Sequence, residues 1–164
     1  VIRLLARPLV AADFAPFGSV VAAAAGGEAV NAGSSRRHEA VPALDLHRDT
    51  GRAVLAVYEA RARRFPFDAQ VLERHRLSDQ VFLPLGGPRR CVLLVAPATV
   101  ATPCAEDCLA FVSDGQQGIR IAAGTWHHGL LALDDGPWAV LERRAPAEDC
   151  DEVGLDAGVR VTLA

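Results

Sequence analysis

From Ala53 onward, short apolar runs alternate with turn residues. Val54 to Tyr58 is followed by Gln70 to His75, Val81 to Leu85, Cys91 to Ala96, Ala110 to Val112, Ile119 to Ala122, His128 to Leu133 and Trp138 to Arg143. Each run has the length of a strand, and Gly86-Gly87-Pro88, Asp114-Gly115 and Asp134-Asp135-Gly136-Pro137 between them are tight-turn chemistry. No long helical pattern separates the runs, which favours an all-β antiparallel sandwich or barrel over an α/β sheet. Ahead of them, Leu9 to Phe17 reads as a short N-terminal helix stopping before Gly18, and Ser19 to Ala23 as a further strand. Gly26 to Arg37, rich in glycine, alanine and serine, reads as a loop able to reach over a barrel mouth. The polar segment with Glu39, Asp45 and Asp49 reads as solvated charge on a short helix. Leu72, Val81, Leu83, Leu93, Val95, Leu131, Leu133, Val140 and Leu141 are the expected core.

The chain has 164 residues, the size of one domain spanning 1–164 and large enough to bury a core without disulfides. A formal charge of −3 gives no electrostatic footprint for nucleic acid. The densest basic group, Arg61, Arg63 and Arg64, reads as a solvated strand face. The longest nearly apolar run, Cys91 to Ala101, contains Pro97 and falls short of the ~18–20 residues that span a bilayer, so no membrane association is expected. Arg3, Arg7 and Pro8 interrupt the first apolar residues, against a secretion signal. The four cysteines, Cys91, Cys104, Cys108 and Cys150, lack metal-knuckle spacing and are expected to be free thiols in a cytoplasmic protein.

Candidate chemistry concentrates in two stretches. In the first, Ala122-Ala123-Gly124-Thr125-Trp126-His127 reproduces the spacing P-x-G-x-x-H of the second cupin motif, with alanine for proline. In the second, Glu73, His75 and Gln80 reproduce the spacing H-x-H-x4-E of the first. Glu73 and His75 are two apart and share a strand face, and Gln80 returns to it after a turn at Leu77 to Asp79. Glu73, His75, Gln80 and His127 thus form one constellation. Carboxylate and neutral imidazole suit a divalent metal or acid–base work, while glutamine is a weak ligand and a good hydrogen-bonding group. His127 and His128 are adjacent, so an extended backbone sends them to opposite faces, and the motif spacing selects His127. Trp126 reads equally as buried area, and Arg74 as an outward cation. There is no Ser/His/Asp order, phosphate-binding loop or H-E-x-x-H signature.

Taken together, E-R-H-x-L-x-x-Q-x-F-x-P-L from Glu73 and G-x-W-H-H-x-L-L-A-L from Gly124 are similar to the ureidoglycolate lyases. The likeness extends to Asp13-Phe14-Ala15-Pro16-Phe17-Gly18, to Asn31-Ala32-Gly33 with Arg37 and His38, and to Asp149-Cys150-Asp151-Glu152. The resemblance implies a cupin-like barrel, usually a homodimer, that splits ureidoglycolate into glyoxylate and urea. It implies catalysis by Glu73, His75 and His127, with Gln80, Asn31, Arg37, Arg120 and Arg143 toward the substrate and His75 and His127 as the place for a divalent metal ion. Pairing is expected through Val54 to Tyr58 and Cys91 to Val95. The chain departs from the family pattern where G-V-N-Y-H-R is replaced by Gly118, Ile119, Arg120, Ile121, Ala122 and Ala123. A family arginine is also replaced by Glu59, and a proline by Arg76. The aliphatic Ile121, Ala122 and Ala123 motivate a rival expectation, a catalytically silent cupin that binds a small carboxylate.

Overall fold

A computed structural model describes residues 1–41 and 43–164. Strands β1 (Ile2–Leu5) and β2 (Arg7–Pro8) precede the helical turn α1 (Ala11–Phe14) and β3 (Gly18–Val21). A small hairpin follows, β4 (Glu28–Val30) and β5 (Ser35–Arg37) around a 3-10 turn at Asn31–Gly33. Then come β6 (Arg52–Ala60), β7 (Phe67–His75), β8 (Gln80–Pro84) and β9 (Cys91–Ala96). After a second 3-10 turn at Ala105–Asp107, the chain continues through β10 (Leu109–Val112), β11 (Gly118–Ile121), β12 (Trp126–His127) and β13 (Leu131–Ala132). It finishes with β14 (Gly136–Arg144) and β15 (Cys150–Thr162).

Two sheets face each other. One runs β1-β15-β7-β12-β9-β10-β2 with β13 also on β9, and the other runs β3-β11-β8-β14-β6. Only Ala6 separates β1 from β2, so the outermost strands of the larger sheet are continuous in the chain and that sheet closes on itself. The fold is therefore an all-β, cupin-like barrel, as the turn spacing predicts. The pairings β1–β15 and β2–β10 are parallel, unlike the expected antiparallel order. Parallel partners need a long connection, and these strands are separated by most of the chain.

The apolar run of β9 is buried at every residue because each of its faces meets a core. Cys91, Leu93 and Val95 face the smaller sheet and join Phe14, Phe17, Phe82, Phe111, Ile119, Ile121, Trp138 and Val140. Val92, Leu94 and Ala96 face the other way, toward Leu72, Trp126, Val159 and Val161. Phe111 meets Phe14 edge to face, with centroids 5.5 Å apart.

Several expectations are corrected by the same alternation. Val140 enters the core, but Leu141 is only half-buried and Leu83 is 37% exposed, because both lie on the outer face. Cys91 to Val95 is enclosed and offers no surface for pairing. The expected Leu9–Phe17 helix is a single turn, and no helix forms in the described part of 39–49. The expected loop at 26–37 is largely the β4–β5 hairpin. Of His128 to Leu133 only Leu131–Ala132 is strand, as β13, because β12 ends at His127. Arg74 is not a free surface cation: its guanidinium stacks over Trp126 at 4.3 Å and binds Asp151 at 2.9 Å.

Candidate functional site

The interior between the sheets becomes polar at one end. On β7, Glu73 and His75 point inward while Leu72 and Arg74 face the other core, as period-two alternation requires. His127 pairs with Glu73 on one side and with Val95 on the other, so its imidazole shares their inward face. Gly124 sets this register: at φ +83, a conformation that glycine adopts without strain, its N–H donates to the His75 carbonyl at 2.7 Å. The His75 and His127 rings lie 5.7 Å apart. Gln80, Glu142 and His75 line one small cleft, so the four residues of the two motif-like stretches meet.

His127 is 2% exposed, and burial pushes its pKa down to about 4. Its Nδ1 lies 2.9 Å from the Thr125 carbonyl, which only accepts, so Nδ1 carries the proton and Nε2 presents a lone pair to the cavity. That Nε2 is 3.5 Å from Glu73 Oε1 and has no hydrogen-bond donor; Gln80 Oε1 is also buried and unpartnered. Two acceptors face each other with no proton between them, an arrangement that a cation or a substrate hydroxyl would satisfy. One ligand atom from each of Glu73, His75 and His127 lies within 4.8 Å of the others. Two imidazoles and a carboxylate suit a divalent transition metal, so the residues fit such an ion.

Beside His75 stands Asp149, whose Oδ1 is 3.8 Å from Nδ1 of the ring and 3.6 Å from Nη1 of Arg143. Asp149 Oδ2 accepts from the Leu77 N–H at 2.9 Å, fixing the turn after β7. The opposite wall is formed by β14 and β6. Glu142 continues the inward row of Trp138 and Val140, and its Oε2 accepts from the Tyr58 hydroxyl at 2.7 Å. Burial, then the bond to Glu142, pushes the Tyr58 pKa up to about 12. Glu142 was legible from strand alternation, which sends it inward once Val140 is placed in the core. Tyr58 had no motif to mark it.

Of the remaining expected substrate residues, Arg143 borders the clefts beside His75 and Glu142, and the others lie elsewhere. Arg120 pairs with outward-facing Val81 and binds buried Asp79 at 2.8 Å, behind the barrel wall. Arg143 is buried, and its guanidinium donates to the carbonyls of Arg48 and Asp49, both at 2.9 Å. Asn31 and Arg37 belong to the β4–β5 hairpin; Asn31 Nδ2 donates to Ser35, and Arg37 lies 4.0 Å from both Glu28 and Glu39. His128 Nδ1 is 2.9 Å from the Gly129 carbonyl, and the ring meets Phe67 edge to face, on the side away from His127. No helix among the described residues is long and apolar enough to cross a membrane.

Comparison with known proteins converges on one group. A ureidoglycolate lyase from Burkholderia cepacia is 37% identical over 145 residues, 87% of this chain and 81% of its own. One from Azotobacter vinelandii is 35% identical over 148 residues, covering 89% of this chain and 88% of its own. One from Pseudomonas fluorescens strain SBW25 is 32% identical over 164 residues, 98% of this chain and 96% of its own. The family model described as ureidoglycolate lyase matches residues 1–162, and the chain belongs to that family.

Proposed function

We propose that this protein, as a single domain over residues 1–164, cleaves ureidoglycolate to glyoxylate and urea. The observation that carries the reading is the facing pair His127 Nε2, buried without a partner, and Glu73 Oε1, 3.5 Å apart at the polar end of the interior, within a chain that matches the family over nearly its whole length. Both atoms are placed to receive the carbinol O–H of the substrate. Glu73 takes that proton, the carbon–oxygen double bond forms, and the carbon–nitrogen bond breaks. His75, whose Nδ1 lies 3.8 Å from Asp149, returns a proton to the departing urea nitrogen. His127 stays neutral and orients the hydroxyl, because burial disfavours its imidazolium.

Glu73, His75 and His127 are also the residues that would hold a divalent metal ion, which when bound would supply Lewis-acid polarisation of the carbinol oxygen. Incubating purified protein with ureidoglycolate and following glyoxylate and urea separately tests the activity. Repeating the assay after chelation, then with added divalent ions, separates side-chain acid–base chemistry from metal assistance. The second reading, a silent cupin binding a small carboxylate, is favoured by Ile121, which lies 4% exposed in the interior core where the family carries a tyrosine. A wild-type protein that binds glyoxylate and produces none would establish it.

The protein acts as a homodimer in this reading. Strand β6 is an edge of the smaller sheet and turns Leu55, 70% exposed, and Val57, 58% exposed, outward. Leu83 adds to the same outer face. A long apolar edge left in water invites pairing with a second copy. Light scattering at micromolar concentration should give a dimer mass, and Leu55→Glu with Val57→Glu a monomer; a wild-type monomer across a dilution series rejects the assignment. The four cysteines are unpaired, which supports a reducing, cytoplasmic setting.

A further inference from the structure

Two adjacent arginines end β14, and strand alternation sends them to opposite faces. Arg143 turns outward into the polypeptide around Arg48 and Asp49, where its side chain is 2% exposed and bound to two carbonyls beside Asp149. Arg144 continues the inward row of Trp138, Val140 and Glu142 and emerges at the mouth with 64% of its side chain exposed. Its Nε lies 3.5 Å from Glu142 Oε1, and no hydrogen bond among the described residues engages its terminal nitrogens. It lines a cleft of about 340 Å³ together with His75, Glu142, Asp149 and Cys150.

An anionic substrate needs a cation here. Glu73, Glu142 and Asp149 all present carboxylates to the mouth, and each repels a carboxylate ligand. Arg120 is tied to Asp79 behind the wall, and Arg143, which borders the same cleft, spends Nε and Nη2 on the Arg48 and Asp49 carbonyls and keeps Nη1 3.6 Å from Asp149. Arg144 has donors to spare, and one edge of it lies against Glu142. Glu142 flanks its Nε edge, and the Tyr58 hydroxyl holds Glu142 in turn, so the row Tyr58–Glu142–Arg144 directs the open edge of the guanidinium toward the cleft. Two parallel N–H donors on that edge match a carboxylate fork.

We propose that Arg144 binds the substrate carboxylate, with Glu142 and Tyr58 as its positioning residues, so that the cleft selects small 2-substituted carboxylic acids. The identity of the substrate rests on the lyase reading above; the carboxylate site does not. The test compares wild type with Arg144→Ala and Arg144→Lys in two assays: steady-state cleavage of ureidoglycolate, and calorimetric binding of glyoxylate and of urea. Loss of a charge-assisted contact made equally in ground and transition states should raise KM and the glyoxylate Kd about 10- to 100-fold in Arg144→Ala, with kcat nearly unchanged. Urea binding should be unaffected, and lysine should restore part of the loss. Wild-type KM and glyoxylate affinity in Arg144→Ala would overturn the proposal, as would equal losses for glyoxylate and urea, which would mark a structural role. A wild-type protein that binds glyoxylate through Arg144 yet cleaves nothing would retain the site and reject the lyase reading. One that does not bind glyoxylate would reject the site.

Discussion

The interior between the two sheets has two ends made by the same strands and governed by different rules. At the closed end, Phe14, Phe17, Phe111, Trp138 and Val140 are packed to near-zero exposure, and the Arg7 guanidinium over the Phe111 ring belongs to an exposed residue. At the open end, β7, β12 and β14 bring in Glu73, His75, His127 and Glu142, while Gln80 Oε1 and His127 Nε2 are left without partners. Stability comes from dense apolar packing at one end, where the Trp138 indole Nε1 also goes without a partner, and chemistry from carboxylates and imidazoles gathered at the other. An unsatisfied buried acceptor costs about 1–3 kcal/mol, a cost the densely packed closed end can offset.

The comparison makes opposite predictions for substitutions only a few residues apart. The largest effect on turnover belongs to His127→Ala: loss of a proton-handling or ligating imidazole should lower kcat/KM ~100- to 10,000-fold. The thermal midpoint should stay close to wild type, since removing the ring also removes its desolvation cost. Unfolding of this variant at assay temperature would show that the open end also carries the fold. Phe111→Ala should behave conversely, losing about 3–5 kcal/mol in urea denaturation. Its kcat/KM, corrected for the folded fraction, should remain within a few-fold of wild type. Tyr58→Phe sharpens the comparison at the rim: without its bond to Glu142, worth about 1 kcal/mol, KM should rise roughly 5-fold with little change in melting. The smallest effect is expected of His128→Ala, within about 2-fold in activity, because its ring lies on the far side of β12. Equal losses at His127 and His128 would contradict the strand-face argument itself.

Much of this was legible in the sequence where period two and turn chemistry agree. The run Cys91 to Ala96 reads as a strand, and the spacings around His75 and His127 place both on one interior before any coordinate is known. Legibility failed where alternation was not followed strictly. Val140 and Leu141 cannot both enter the core, and applying that rule would have sent Glu142 and Arg144 inward and Arg143 outward. Strand β15 carries no clean local signal because Gly154 and Gly158 interrupt its alternating Val153, Leu155, Val159 and Val161, and the pairing with β7 shifts register between Gly154 and Val159. Strands β1 and β2 have no hairpin partner nearby in sequence, so no local signal marks them. Arg120 looked like a substrate contact because its neighbours belong to a motif; only Asp79, brought from another strand, shows what it binds.

The closure of the larger sheet has a consequence for how the protein is made. Ile2 pairs with Val159 and Leu5 with Thr162, so the first strand has no permanent place until almost the whole chain has left the ribosome. Contacts spanning such a sequence distance form late and slowly. During synthesis β1 and the facing edge of β7 wait unpaired for β15, a period in which an exposed strand is open to other chains. The seam that completes the barrel is therefore also the last to shut at birth, and its quality sets how much newly made protein escapes aggregation.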